Sequence, residues 1–295
     1  MRPEVEAGRA AVQVVDNGST DGTREMVRSA FDWAELLEPE RNLGFGPAVN
    51  LAVRGGASPW LVAANADVEL TPGALEALLR AGEAEQEAGA IAPRLILPDG
   101  STQHSVHRFP SPGLALAFGL GVYRLSPRLG DRLCIDGCWN PDRPRRVDWA
   151  HGAFLLIRRA SFEQVGGFDE RQWLYAEETD LAWRLAAIGR HVRYEPAARV
   201  LHSVSASTRQ AFGQWERDRR RTVAAYEWLA KRRGTVVARL TAAISIAGAA
   251  ARVLIFAVLA QFAPDRWRRP RDRSRRYVAL HRQGFAADAA QEEPS

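Results

Sequence analysis

Ala11-Val12-Gln13-Val14-Val15-Asp16-Asn17-Gly18-Ser19-Thr20-Asp21-Gly22-Thr23 is the stretch on which the fold turns. A short apolar run meets a turn rich in Gly, Asn and Asp, and Ser19 to Asp21 offer caps for a helix reaching about residue 31. Strand, turn and helix then recur. Residues 34–37 read as a second strand, and 46–53 as a helix with Pro47 in its first turn, where its missing N–H costs nothing. Residues 60–64 read as a buried strand ending at Asn65-Ala66-Asp67. Thr71-Pro72 opens a helix to about residue 87, and 90–96 form another strand. Strands alternating with helices of this length predict a largely parallel sheet covered on both faces.

Residues 98–146 break the rhythm with scattered Pro, Gly and Arg, and read as a long surface excursion of the kind that carries specificity. Order resumes with a strand at 147–157, a turn at Gly166-Gly167-Phe168-Asp169, a helix over 175–188 ending at Gly189, and short strands at 191–194 and 199–202. The chain has 295 residues, 46% hydrophobic, enough for a sizeable core. Cys134 and Cys138 are its only cysteines, which excludes a disulfide scaffold, and no nearby pair completes a structural zinc site. The net charge of +5 hides a partition. Residues 1–207 hold 22 basic and 27 acidic groups, whereas 208–282 hold 18 and 5.

Two acidic sites follow predicted strands directly, Asp16 and Asp67. In doubly wound sheets that is where ligands gather. A carboxylate there can accept a hydrogen bond from a base or ribose, or hold a hard divalent cation. Turn capping explains Asp16 and Asp21 equally well on local grounds. A third cluster, Glu177-Glu178-Thr179-Asp180, packs three carboxylates into four residues. Their repulsion can raise one pKa and make a general base, while the plain alternative is a solvated helix N-terminus. His202 ends the last strand, and a lone His is more often structural than a ligand.

The ordered set Asp16-Asn17-Gly18-Ser19-Thr20-Asp21-Gly22-Thr23, Asn42-Leu43-Gly44-Phe45, Asn65-Ala66-Asp67, Gly152-Ala153-Phe154-Leu155-Leu156-Ile157-Arg158-Arg159, Gly167-Phe168-Asp169-Glu170, Glu177-Glu178-Thr179-Asp180-Leu181 and His202 resembles a family 2 glycosyltransferase of the rhamnosyltransferase-like branch. The resemblance covers about residues 11–233. It implies an α/β fold of the nucleotide-diphospho-sugar transferase (GT-A) type: a mixed, mostly parallel sheet with flanking helices, here with a basic helical C-terminal extension. It implies transfer of a sugar from a nucleotide-diphosphate sugar to a hydroxyl acceptor, with inversion and with Mg²⁺ or Mn²⁺. Position by position, Asp16 would bind the nucleobase, with Asn17, Asn42 and Gly44 on the nucleotide-sugar side. Asp67 would be the metal-binding acid of the family's Asp-X-Asp motif, whose first position is Asn65 here and can still reach ribose. His202 would help hold the metal. Glu178 would be the catalytic base, supported by Glu177 and Asp180, with Gly152, Ala153 and Asp169 on the acceptor side.

Family members open with a strand and helix before the Asp-Asn-Gly-Ser-Thr-Asp segment, and only a polar stretch of ten residues precedes Ala11 here. The expectation is a start codon upstream, and the rival is an inactive GT-A-like protein that binds a partner at the membrane. A nucleotidyltransferase is disfavoured, since no Gly-rich phosphate loop with a following Lys is present. The predicted organisation is a catalytic unit at 1–207, a basic then apolar helical segment at 208–263, and an Arg-rich flexible tail at 264–295. The polar opening lacks a secretory signal, which predicts a cytoplasmic protein. The apolar segment between arginines predicts peripheral seating on an anionic membrane surface, consistent with a lipid-linked acceptor in cell-envelope polysaccharide assembly. A core-packing helix is the plain alternative. Nucleic acid is not expected, because no recognition fold accompanies the arginines.

Overall fold

The computed structural model describes residues 1–172, 175–203 and 213–286. In chain order the N-terminal part contains α1 (Arg2–Glu6), β1 (Gln13–Val15), α2 (Thr23–Ala30), β2 (Glu35–Leu37), α3 (Phe45–Ala52), β3 (Trp60–Ala64), β4 (Val68–Leu70), α4 (Ala74–Ala84) and β5 (Ala88–Ile96). The middle contains β6 (Val106–His107), α5 (Pro112–Leu120), a 3-10 turn at Val122–Arg124, α6 (Pro127–Arg132), β7 (Arg145–Val147), β8 (Trp149–Ala150), β9 (Phe154–Arg158) and α7 (Arg159–Gln164). Next come α8 (Glu177–Ala187), β10 (His191–His202), α9 (Gln214–Arg233), α10 (Thr235–Phe262) and α11 (Pro264–Ala286).

The main sheet runs β3-β9-β5-β10-β4, with β7 also on β10. β3, β5 and β10 share one direction, because β5 and β10 pair in parallel and β9 lies antiparallel between β3 and β5. The sheet is mixed, as expected. Its parallel share is smaller than the strand-helix alternation predicts, because β9 returns from the excursion and inserts against the grain. β1 and β2 form a separate parallel pair.

Both faces of the sheet are covered. On one, α4 lays Leu78 and Ala81 over Ile91, Leu95, Leu156 and Val200. On the other, α8 lays Leu181 and Leu185 over Ile157 and Tyr194, with Phe162 and Phe168 alongside. Leu78 and Leu185 are fully buried, and truncating either to Ala would cost about 2–5 kcal/mol. α4 sits so close to β3 that a Cβ on Gly82 would lie 2.4 Å from the Trp60 ring.

Three local readings change. The strand expected at 147–157 is β7, β8 and β9, each on a different partner. The two short strands at 191–194 and 199–202 are one strand, with a register irregularity between Glu195 and Arg199. Pro196 lies inside that break, where its missing N–H would interrupt a regular ladder. The excursion at 98–146 holds two capped helices. The Ser111 hydroxyl accepts from Leu114 N at 3.2 Å, the Ser126 hydroxyl from Leu129 N at 3.3 Å, and Pro follows each cap.

The basic C-terminal region is helical. Trp228 of α9, 1% exposed, stacks on Phe109 at 5.7 Å and meets the edge of Trp183 at 5.5 Å, which docks α9 on both the excursion and α8. The flexible tail expected over 264–295 is helical through residue 286, where Trp267, Tyr277 and His281 pack it on Phe256, Phe118 and Tyr226. The boundary expected at 207/208 and residues 287–295 lie outside the described residues.

Candidate active site

The topology brings Asp67 and His202 together. β10 pairs antiparallel with β4 so that His202 faces Val68, and Ser203 N donates to Asp67 O at 3.0 Å. His202 Nε2 then lies 3.5 Å from Asp67 Oδ1. The other ring nitrogen, Nδ1, is 2.6 Å from Gln103 Oε1. Since an amide oxygen only accepts, Nδ1 carries the proton and Nε2 presents a lone pair. That Nε2 is buried and has no hydrogen-bond partner. Burial also lowers the imidazole's pKa, with Asp67 opposing, which favours the neutral ring. A lone pair and a carboxylate converging across 3.5 Å is an arrangement a divalent cation satisfies. Among the described residues no group of three or more His, Cys, Asp or Glu side chains could hold a metal. Two protein ligands suit an ion whose remaining positions are filled by water and phosphate oxygens.

One short segment links this strand end to the acidic helix. Ala153 O accepts from Asn65 N at 3.0 Å, and the preceding residue, Gly152, donates its N–H to Glu178 Oε1 at 3.3 Å. Glu178 lies in the first turn of α8, entered through Tyr175 and Ala176, both in the left-handed region with φ of 64° and 65°. Two such non-glycine residues in a row store strain of the sort found where a side chain must be aimed. Burial pushes the Glu177 and Glu178 carboxyls up, and the charge of Glu178 adds to the shift of Glu177. Glu178 is half-buried, whereas Glu177 is buried with its Oε2 unbonded. The Gly152 N–H and the charge of Arg221 on α9 pull Glu178 back toward ionisation.

Asp180, Asp169 and Asp16 are each held by basic side chains. Asp180 is 2% exposed and takes Arg232 Nε at 2.5 Å on Oδ1, with Arg184 Nε at 2.7 Å and Arg232 Nη2 at 3.0 Å on Oδ2. Asp169 holds Arg171 and Lys231, which together outweigh burial and keep its carboxyl well below the usual range. These acids fasten α8 and the Gly167–Phe168 turn to α9. Asp16 is buried as well. Burial alone would raise its carboxyl, but Ser19 N at 3.2 Å and the Arg24 guanidinium outweigh that and lower it. Asn17 bridges to the next turn, donating to Gly44 O at 3.0 Å and accepting from Leu43 N at 2.9 Å, while Asn42 Oδ1 accepts from Gly44 N at 2.9 Å. Asn17, Asn42 and Gly44 thus form one wall behind Asp16.

Sequence reasoning missed His151 and His107. Their Nε2 atoms meet at 3.1 Å, and Trp149 stacks on His107 at 4.3 Å. Burial lowers both imidazoles, His151 to about 3, so the pair is neutral and shares one proton. His151 directly precedes Gly152. It is a lone His, 44 positions from its partner, and no spacing rule pairs such residues. A cleft of about 420 Å³ opens between the start of α5, Trp183 of α8 and Arg233 at the end of α9, lined also by Arg108, Phe109 and Leu133.

Residues 8–166 match the family described as glycosyl transferase family 2. Over 213 residues, 67% of this chain and 68% of the relative, the chain is 37% identical to the N-acetylglucosaminyl-diphospho-decaprenol L-rhamnosyltransferase of Mycobacterium tuberculosis. It is 37% identical to rhamnosyltransferase WbbL of Escherichia coli over 68 residues, 23% of this chain and 26% of that protein. Among solved structures, the mannosyltransferase PcManGT from Pyrobaculum calidifontis, in complex with GDP-Man and Mn²⁺, superposes with a TM-score of 0.59 at 19% identity. The match covers 96% of this chain and 79% of that one, and it is a likeness of fold.

Proposed function

The chain belongs to glycosyl transferase family 2, and from that premise we propose that it moves a rhamnosyl- or hexosyl-type sugar from a nucleoside-diphosphate donor to a hydroxyl of a lipid-linked acceptor, inverting the anomeric carbon. One observation supports the reading: the segment His151–Gly152–Ala153 ties Asn65, at the end of β3, to the Glu178 carboxylate through two backbone hydrogen bonds, as a base working beside a bound donor would require. The M. tuberculosis relative is named for a decaprenyl-diphosphate acceptor, which motivates the lipid-linked class and a place of work at the cytoplasmic membrane face.

In this reading Asp67 and His202 hold Mg²⁺ or Mn²⁺, which supplies neutralisation of the charge developing on the leaving diphosphate. Asp16, with the wall of Asn17, Asn42 and Gly44 behind it, bounds the nucleotide, and Asn65 reaches the ribose. Glu178, steadied by the Gly152 N–H, takes the proton of the acceptor hydroxyl as that oxygen bonds to the anomeric carbon and the bond to the diphosphate oxygen breaks. Glu177, held neutral by burial, leaves Glu178 the ionised member of the pair. Asp169 and Asp180 act through position, holding α8 against α9. The cleft beside Trp183 is where the excursion and α9 choose the acceptor.

The test is a transfer assay with nucleoside-diphosphate sugars and an N-acetylglucosaminyl-diphospho-prenol acceptor, with Mg²⁺, Mn²⁺ or chelator, and the product's anomeric configuration read by NMR. Metal-dependent transfer with inversion is expected. Retention of configuration, or full turnover in chelator, would contradict the reading.

A further inference from the structure

α10 is 28 residues long, and its most apolar 18-residue stretch has a mean hydropathy of 2.2 with only 11% of it buried. Its outward apolar residues form one stripe, with exposed Arg239 on its edge near the start and exposed Gln261 near its end. Val236, Leu240, Leu254, Ile255, Val258 and Phe262 are all exposed, Phe262 at 83%, and exposed Ala243, Ala247 and Ala251 fill the middle. Spacings of three and four keep them on one helical face. Arg252, the one charge beyond Arg239 in the helix, lies off that face. It donates to Phe118 O and Gly119 O at 3.2 and 3.1 Å and sits 5.2 Å over the Phe118 ring.

α5 extends the apolar surface. It packs so tightly on α10 that a Cβ added to Gly248 would lie 2.7 Å from Gly119 Cα. None of its residues is buried, and Leu116 and Leu120 are exposed, as is Leu125 just after it. A face of this extent is not left to water without a partner.

By length and hydropathy α10 could cross a bilayer. Its neighbour forbids that. α11 folds back beside it, with Trp267 stacked on Phe256 at 5.4 Å, Tyr277 on Phe118 at 6.1 Å, and His281 bonded to Tyr226 of α9 at 2.7 Å. α11 carries eight arginines and two aspartates, and Arg266, Arg268, Arg269, Arg273, Arg275 and Arg276 are exposed. A spanning α10 would drag that charge into hydrocarbon.

We propose that α5 and α10 form a seat lying in the plane of an anionic lipid bilayer, with the apolar stripe at the acyl boundary and the arginines of α11 at headgroup level. This deepens the lipid-linked acceptor reading, yet its test needs no turnover. The full chain is sedimented with phosphatidylcholine vesicles, with and without about 30% phosphatidylglycerol, at low and high salt. Binding to the anionic vesicles is expected, weakened at least about tenfold in Leu254→Glu/Val258→Glu and in Leu116→Glu/Leu120→Glu. Arg268→Glu/Arg269→Glu should weaken binding and flatten its salt dependence. Circular dichroism checks that these exposed-site variants stay folded.

Nitroxide labels at Leu240, Ala247 and Val258, in a Cys138→Ser background with Cys134 buried, should report similar shallow depths. A deep middle label between shallow ends would mean a span and overturn the proposal. So would wild-type protein that stays in the supernatant, or a dimer lost in Leu254→Glu/Val258→Glu without vesicle binding, which would assign the face to a second copy of the chain. Loss of transfer activity with intact vesicle binding would sink the catalytic reading and leave this one standing.

Discussion

Asp67 follows a strand and Asp180 opens a helix, both as acids at element ends, and they meet opposite surroundings. Opposite Asp67 stands a neutral imidazole whose lone pair has no donor to receive. Opposite Asp180 stand two guanidinium groups that fill both carboxylate oxygens. The first pairing sets a carboxylate against a lone pair, both of which can ligate a cation, and the second already contains two cations. What separates a chemical acid from a fastening one is therefore the charge and hydrogen-bonding capacity of its partner, which position in an element does not reveal. Glu178 occupies a third condition: half-buried, held by backbone N–H groups and, among the described residues, by no side-chain cation at bonding distance, and raised by burial.

The largest effect belongs to Glu178. Glu178→Gln should lower transfer by about 10²–10⁴ with donor affinity unchanged in calorimetry, and normal turnover would remove the base from the account. The pH profile of kcat/KM is the next check. A base works ionised, and burial raises this carboxyl, so the rate should fall on acidification at a pH above the ordinary Glu value of about 4.3. An acid limb at or below that value would show that Glu178 does not carry the step.

The sequence revealed the place of both kinds of acid but not what separates them. Asp16, Asp67 and the helix bearing Glu178 are placed by local signals: apolar runs, turn residues and 3.6-residue spacing. Apart from Arg184, one helical turn after Asp180, the partners that decide their chemistry are remote. Arg232 is 52 residues from Asp180, Lys231 is 62 from Asp169, and Gln103 is 99 from His202. No local pattern encodes such pairings. The antiparallel insertion of β9 was equally hidden, since an apolar run does not state its direction. The helices α5 and α6 did leave a local signal. Ser111-Pro112 and Ser126-Pro127 are cap-and-first-turn signals, masked by the Gly, Pro and Arg around them.

Asp180→Asn should act on stability. It strips the buried counter-charge from Arg184 and Arg232, which keep partial exposure of 17% and 24%, so the cost falls near the low end for broken buried pairs, about 3 kcal/mol in urea unfolding. A loss below about 0.5 kcal/mol would show the clamp is slack. The smallest effect expected is for Gly152→Ala. Its Cβ would meet Phe45 at 3.4 Å and Glu178 at 3.7 Å, contacts that need little adjustment, so stability should drop by under about 1 kcal/mol. A larger loss would mean that this hinge between Asn65 and Glu178 tolerates no movement.

The most direct test sets the two aspartates side by side. Mn²⁺-dependent binding of a nucleoside diphosphate is measured by calorimetry for wild type, Asp67→Asn and Asp180→Asn, at a temperature where all three are folded. The account predicts that Asp67→Asn loses the metal-dependent part of binding, about 10–100-fold or more, while Asp180→Asn keeps it. Equal metal response in both variants would contradict it.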